Sequence, residues 1–195
     1  KSQSIKKSIF CGEPLYYSQV NIWKRYFPKS KIFNTYGPSE TTCFNTSYEV
    51  KGIKKKLNSD IVSIGKPMLN NKITLDQGEI LISGKQVSPG YIDAELTKKK
   101  FFYKKNISFY KTGDFAKKKN DNYYYLGRRD NQIKLMGHRI ELGEIEHKIS
   151  KIFKNRRVLV FFINNNIYAA IEERNKISNN KILRIKKDLP HYMMP

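Results

Sequence analysis

The sequence is poor in the residues that cross-link small proteins or hold metals. It has only two cysteines, Cys11 and Cys43, in 195 residues. They are too few for a disulfide framework and too far apart in sequence for a paired-thiol metal motif. The three histidines, His138, His147 and His191, are scattered and form no zinc-binding pattern. Long apolar runs are missing as well: the longest, VLVFFI at 158–163, is far too short to span a bilayer, so no membrane insertion is expected. No secretory leader is visible and the chain opens on Lys1 rather than Met, so we expect a cytoplasmic protein and a piece of a longer one. Acidic residues are scarce, 17 against 38 Lys and Arg, for a formal charge of +21. Such a balance suggests nucleic acid, an anionic membrane surface or an acidic partner. The lysines, however, are spread in short runs at 54–56, 98–100 and 117–119 among many Asn and Ile. That pattern is as much a general residue bias as a binding patch.

An apolar share of 39%, with 13 Tyr and 11 Phe, suits a globular protein and argues against disorder. SIFCG (8–12) predicts a buried strand. A helix follows, capped by Ser18, with Val20, Trp23 and Phe27 at helical spacing, and KIFNTY (31–36) predicts a second strand. This strand-helix-strand order predicts a parallel sheet with loop 34–42 at its carboxyl edge, where open α/β sheets bind ligands. From about residue 60 to 129 the pattern turns to short strands. KITL-DQG-EILIS is a hairpin, SPG at 88–90 a turn, and AKKKNDNYYYLG folds back around NDN, together predicting a small β-barrel or distorted sheet. After Asp130 come a short strand QIKLMG, a helix marked by Leu142, Ile145, Ile149 and Ile152, a hairpin of RVLVFFIN with IYAAIEE, and a helix over 178–189. The expected organisation is an α/β and β-rich part over 1–129 and a compact α+β part over 130–195.

Loop 34–42, NTYGPSETT, carries the first chemical signal. Gly37-Pro38 forces a bend that places Tyr36 and Glu40 on one rim. A flat ring can cover a base, hydroxyls can donate to phosphate oxygens, and a carboxylate can hold Mg²⁺ beside them. On its own the stretch reads equally well as an ordinary surface turn. Three others stand in order behind it: GEILISGKQVSPGY (78–91), YKTGDF (110–115) and YLGRRDNQIKLMGHRIELGEIE (125–146). Each alone reads as a solvated hairpin or a helix start.

In this order and spacing the stretches resemble the later core motifs of the adenylate-forming (AMP-binding) enzymes. The likeness is to their amino-acid adenylation domains, as in nonribosomal peptide synthetases and D-alanine–carrier protein ligases. It runs from FCGEPL at 10–15 to LPHYMMP at 189–195. RRDNQIKLMGHRIELGEIE follows the amino-acid-activating form, and FCGEPL, FPKSKIFNTYGPSETT and VSPGYIDAELTKKKFF are most similar to the D-alanine branch. The resemblance implies the α/β and β-barrel end of a large ATP- and substrate-binding domain over 1–129, then a truncated mobile subdomain over 130–195. It also implies ATP-dependent activation of a small amino acid, with alanine the expected one, as an aminoacyl-adenylate, with transfer to the thiol of a phosphopantetheinyl carrier protein.

The site residues follow from that resemblance. Tyr36 stacks on adenine, with Asn34 at its edge and Thr35 beside it. Gly37, Pro38 and Ser39 shape the wall facing the phosphates, and Glu40 is the catalytic carboxylate that holds Mg²⁺. Asp114 accepts from both ribose hydroxyls, and Tyr125 and Arg128 serve the nucleotide, Arg128 on its ribose and phosphate side. Cys11, Cys43 and Thr35 line the substrate side chain, although each cysteine reads alternatively as a small buried thiol. Asp130 is the hinge. Catalytic Lys134 and the permissive Gly137 lie in the loop that the hinge swings in for thioester formation.

Some positions depart from the family pattern. Ser39 stands for the usual Thr and keeps its hydroxyl, Met136 stands where Arg is common, and Pro89 where a basic or small residue is usual. The family's Ser/Thr/Gly-rich phosphate loop and its final catalytic lysine are not found here. GEILISGKQ does not substitute as a Walker loop, because five residues separate Gly78 from Gly84 and Gln86 replaces the required Ser or Thr. Rival readings are an acyl- or aryl-CoA ligase of the same superfamily, a non-catalytic remnant, and a basic nucleic-acid module. The last is the weaker one, since aromatics such as those in YYYL fall in strand patterns that a core would claim.

Overall fold

The computed structural model describes residues 5–52, 61–128, 130–154, 156–173 and 176–195; the lysine run at 54–56 lies outside them. The chain falls into two compact units, Lys1–Arg129 and Asp130–Pro195.

The first unit opens with β1 (Lys7–Phe10), helix α1 (Tyr17–Tyr26) and β2 (Lys31–Tyr36), and β1 and β2 are parallel. The cap lies two residues before the expected one. Tyr16 is the cap residue, and its backbone N–H donates to the Gln19 side chain at 2.9 Å, so Ser18 is already inside the helix. Leu15, Tyr17, Val20 and Ile32 are buried together between helix and sheet. Trp23 packs edge-on against Phe10 and donates its indole N–H to Ser8 Oγ at 2.8 Å, which fixes helix to strand. β3 (Thr46–Glu49) and β4 (Lys66–Pro67) extend this sheet antiparallel, in the order β1-β2-β3-β4.

A second sheet follows: β5 (Lys72–Asp76), β6 (Glu79–Ser83), helix α2 (Ala94–Lys100), β7 (Phe101–Lys104), β8 (Ile107–Lys119) and β9 (Asn122–Arg128). Both expected hairpins form. Their tight turns use left-handed backbone at Gln77-Gly78 and Asn120-Asp121, as two-residue hairpin loops require. The strands run β5-β6-β8-β7 with β9 also on β8, so the expected barrel is instead an open five-stranded sheet among the described residues. Closure depends on which distant strands pair, and no local pattern encodes that. Helix α2 was not foreseen: AELTKKK has no buried residue and so no apolar stripe. The two sheets are joined where Tyr123 on β9 exchanges backbone hydrogen bonds with Ile64 and Gly65 and accepts from Ser63 Oγ at 2.7 Å.

The second unit contains the hairpin β10 (Gln132–Leu135) and β11 (His138–Glu141), helix α3 (Leu142–Ile152), the hairpin β12 (Val158–Ile163) and β13 (Asn166–Ile171), and helix α4 (Asn179–Asp188). The four helix residues expected from spacing, Leu142, Ile145, Ile149 and Ile152, are all buried. With Phe153, Val160, Ile167 and Ile185 they form a core of their own. No helix among the described residues is long and apolar enough to cross a membrane.

Candidate nucleotide site

Strand β2 delivers loop 34–42 to the end of the first sheet. Asn34 and Thr35 are buried and spend their side chains on structure: Asn34 Nδ2 donates to the Ser63 carbonyl at 2.9 Å, and Thr35 Oγ1 to the Phe10 carbonyl at 3.0 Å. Gly37 is required by space, since a Cβ there would run into the Cys43 carbonyl and the Asn45 amide. Pro38 starts one 3-10 turn, Ser39–Thr41, and Thr42 and Cys43 then take left-handed φ of 59° and 63° to turn the chain back. Asn45 N–H donates to the Tyr36 carbonyl at 2.8 Å and closes the loop.

A second segment supports it. Gln86 Nε2 donates to Asn45 Oδ1 at 3.0 Å, Thr42 Oγ1 donates to the Gln86 carbonyl at 3.0 Å, and Ser88 N–H donates to the Glu40 carbonyl at 2.8 Å. Glu40 is itself buried, and Oε1 accepts from the Tyr91 hydroxyl at 2.6 Å. Asn45, Gln86 and Tyr91 were not picked out from sequence. Only the turn residues of SPGY marked that neighbourhood.

Tyr36 and Asp114 stand 78 residues apart in sequence and meet directly: the Tyr36 hydroxyl donates to Asp114 Oδ2 at 2.6 Å. On the other side Arg128 Nη1 donates to Asp114 Oδ1 at 2.8 Å, the two residues facing each other across β8 and β9. Asp114 is 2% exposed, and both of its oxygens are engaged by protein donors. The Tyr36 ring is buried against Ile64, Ile73, Ile80 and Ile82. Burial first, and then the neighbouring Asp114 carboxylate, push its hydroxyl well above the usual tyrosine range. It therefore remains a phenol and a donor at physiological pH. Tyr125 is half-buried against the same cluster.

The remaining expected residues are placed differently. Ser39 is exposed. Cys11 and Cys43 are both free and exposed, which excludes the reading of small buried thiols. Asp130, Lys134 and Gly137 belong to the second unit. Asp130 is exposed, Lys134 faces Arg139 across the β10–β11 hairpin, and Met136-Gly137 form its turn with φ of 52° and 77°. Among the described residues no group of three or more His, Cys, Asp or Glu side chains gathers as a metal centre.

Proteins of known kind resemble this chain in sequence and in fold. Residues 1–92 match the family model described as AMP-binding enzyme. The D-alanine–D-alanyl carrier protein ligase of Bacillus licheniformis is 39% identical over 96% of this chain and 42% of its own length. That of Staphylococcus epidermidis is 33% identical over 98% of this chain and 42% of its own. Over its first 92 residues the chain is thus similar to the AMP-binding enzyme family, and over nearly all of its length to carrier protein ligases. Among solved structures, the chain superposes on the Vibrio cholerae adenylation domain AlmE in complex with glycyl-adenosine-5'-phosphate with a TM-score of 0.82, at 25% identity over 98% of this chain and 40% of that one. The NRPS protein PA1221, containing adenylation and PCP domains, gives 0.73 at 26% identity over 92% of this chain and 40% of that one. The chain spans about two fifths of the length of the curated relatives it matches.

Proposed function

We propose that the protein carrying this chain activates a small amino acid with ATP as an aminoacyl-adenylate and passes it to a carrier-protein thiol, with alanine as the substrate. The observation that carries this reading is the direct linkage Tyr36–Asp114–Arg128, which ties the end of β2 to β8 and β9 in a chain similar to AMP-binding enzymes. The names of the relatives, carrier protein ligases and adenylation domains, support the acceptor.

In this reading the Tyr36 ring forms one side of the base platform and cannot swing away, because its hydroxyl is tied to Asp114. Each Asp114 oxygen has a second lone pair for a sugar hydroxyl. Covered as it is, Asp114 would be reached past Tyr36 and Arg128. Gly37 and Pro38 bring backbone close to the phosphates, with Ser39 offering its hydroxyl. Adenylation is in-line transfer at phosphorus, which depends mainly on positioning and on neutralising phosphate charge. The donor set fits Mg²⁺: the ion is usually held by one or two carboxylates together with substrate phosphates, and Glu40 supplies one carboxylate at the loop's turn. Bound there, the ion would neutralise phosphate oxygens. Cys11 and Cys43 are proposed to line the amino-acid side, consistent with their exposure. Asp130, Lys134 and Gly137 are proposed for the thioester stage.

Amino-acid-dependent ATP–pyrophosphate exchange by the full-length protein tests the reading. Alanine should support exchange and phenylalanine should not, because a small pocket rejects bulk by overlap. Equal activation of the two would defeat the assignment of a small substrate, and no exchange with any amino acid would defeat the function.

A further inference from the structure

The corner formed by Ser88–Tyr91, α2 and the start of β8 has no part in the contacts assigned to the nucleotide so far, yet it closes around Glu40. Gly90 lies against α2 with φ of 147°, and a Cβ there would meet the Thr97 side chain within 3 Å. Thr97 Oγ1 accepts from the Tyr91 N–H at 2.8 Å, so helix and turn fix the tyrosine's backbone. Its ring is held edge-on to Phe101, with centroids 5.2 Å apart, and Phe101 packs in turn on Tyr110, which is fully buried. The ring ends in a hydroxyl 2.6 Å from Glu40 Oε1 and 3.1 Å from the Tyr110 hydroxyl. A phenol has one proton. Tyr91 donates its proton to Glu40, so the contact between the two hydroxyls uses the proton of Tyr110. The hydrogen bonds therefore run in one direction, Tyr110 to Tyr91 to Glu40.

Resting on the proposed role of Glu40 at Mg²⁺, we infer that Tyr91 is a positioning residue for that carboxylate and that Tyr110 is the group that orients Tyr91. A carboxylate on a single 3-10 turn has rotational freedom that a metal ligand must lose. One charge-assisted hydrogen bond of 2.6 Å from a ring packed edge-on to Phe101 removes it before the ion arrives. Neither tyrosine touches substrate in this proposal; both act through Glu40.

The test uses the full-length protein and two conservative variants, Tyr91→Phe and Tyr110→Phe, which keep the ring packing. Thermal unfolding is followed with ATP at increasing Mg²⁺, and the Mg²⁺ concentration giving half of the ATP-dependent shift is read. Loss of a partner behind a metal ligand typically weakens metal affinity roughly 10- to 100-fold. We expect about a tenfold higher Mg²⁺ requirement for Tyr91→Phe and a smaller rise in the same direction for Tyr110→Phe, which keeps the Tyr91–Glu40 bond. Pyrophosphate exchange should show the same rise in its Mg²⁺ requirement, with kcat recovered at saturating Mg²⁺. A variant that merely loosened the fold would instead lower the ligand-free midpoint and leave the Mg²⁺ dependence alone. An unchanged Mg²⁺ requirement in Tyr91→Phe overturns the inference, as does a wild type whose ATP-dependent shift ignores Mg²⁺. A Mg²⁺-dependent ATP shift that moves as expected, without exchange for any amino acid, would sustain this inference while removing the amino-acid reading.

Discussion

At the scale of single residues, the Asp114 carboxylate carries most of the consequence. It is almost closed to solvent and holds two donors of different kind, a phenol and a guanidinium. Removing the guanidinium leaves an uncompensated buried charge, which typically costs about 3–5 kcal/mol. Arg128→Met should therefore lower stability by roughly that amount, read from the urea midpoint. Tyr36→Phe removes a neutral donor and should cost less, about 1–3 kcal/mol. The phenol also gives a pH signature. Its folded pKa lies above the ordinary value of 10.0, so the stabilisation is whole below about pH 10 and is lost as pH rises, because the unfolded chain ionises there while the folded chain resists. Tyr17, pushed up to about 12 chiefly by burial, adds to the same alkaline loss between about pH 10 and 12. Midpoints measured from about pH 9 to 11 should fall less steeply in Tyr36→Phe than in the wild type. For the full-length protein, Asp114→Asn should raise the KM for ATP roughly ten- to a hundredfold, the worth of a hydrogen bond to a charged group, about 1.5–3 kcal/mol.

At the scale of elements, the legible parts of the fold were those whose signal is local. β2 could be read because it is a short run bounded by Ser30 and Gly37, and the hairpins because DQG and NDN can adopt left-handed turns. Helix α3 could be read because four apolar residues share one face. Helix α2 and the strands TSYE and KP were missed because they carry no such pattern. The candidate site divides the same way. Tyr36 and Asp114 stand in stretches with chemical character of their own. Tyr91 and Tyr110 matter through a carboxylate 51 residues from Tyr91 in sequence and through each other, which only the fold brings about. An element-scale prediction follows from loop 34–42. Gly37→Ala puts a methyl against the Cys43 carbonyl and the Asn45 amide, backbone on one side and a loop-closing side chain on the other. The loop must open to accept it, at a cost of about 1–3 kcal/mol as for other overpacked positions, and the nearby Cys43 should react faster with a thiol reagent than in the wild type.

On the scale of the whole molecule, the two units have separate buried cores, one around Ile145 and Ile149 and the others around Ile32 and Ile80. The single tryptophan, Trp23, belongs to the first unit and so reports on it alone. Truncating a fully buried isoleucine typically costs about 2–5 kcal/mol. Ile149→Ala should therefore shift the unfolding seen by far-UV circular dichroism of the 195-residue chain in part, while the midpoint of Trp23 fluorescence stays near its wild-type value. A fluorescence midpoint that moved with the mutation would mean that the two units unfold as one.

Strand β8 also sets a length. Tyr110, Thr112, Asp114 and Ala116 alternate with more exposed neighbours and are all buried. Tyr110 and Asp114 are buried four residues apart on this one strand, with the left-handed Gly113 and a register shift against β6 between them. The hydroxyl that steadies Glu40 and the carboxylate that receives Tyr36 are graduations on a single ruler. Their separation cannot drift with loop composition, since no loop lies between them. Both residues are brought to the buried side across the register shift at Gly113, so a further residue inserted there would change which of the two stays buried.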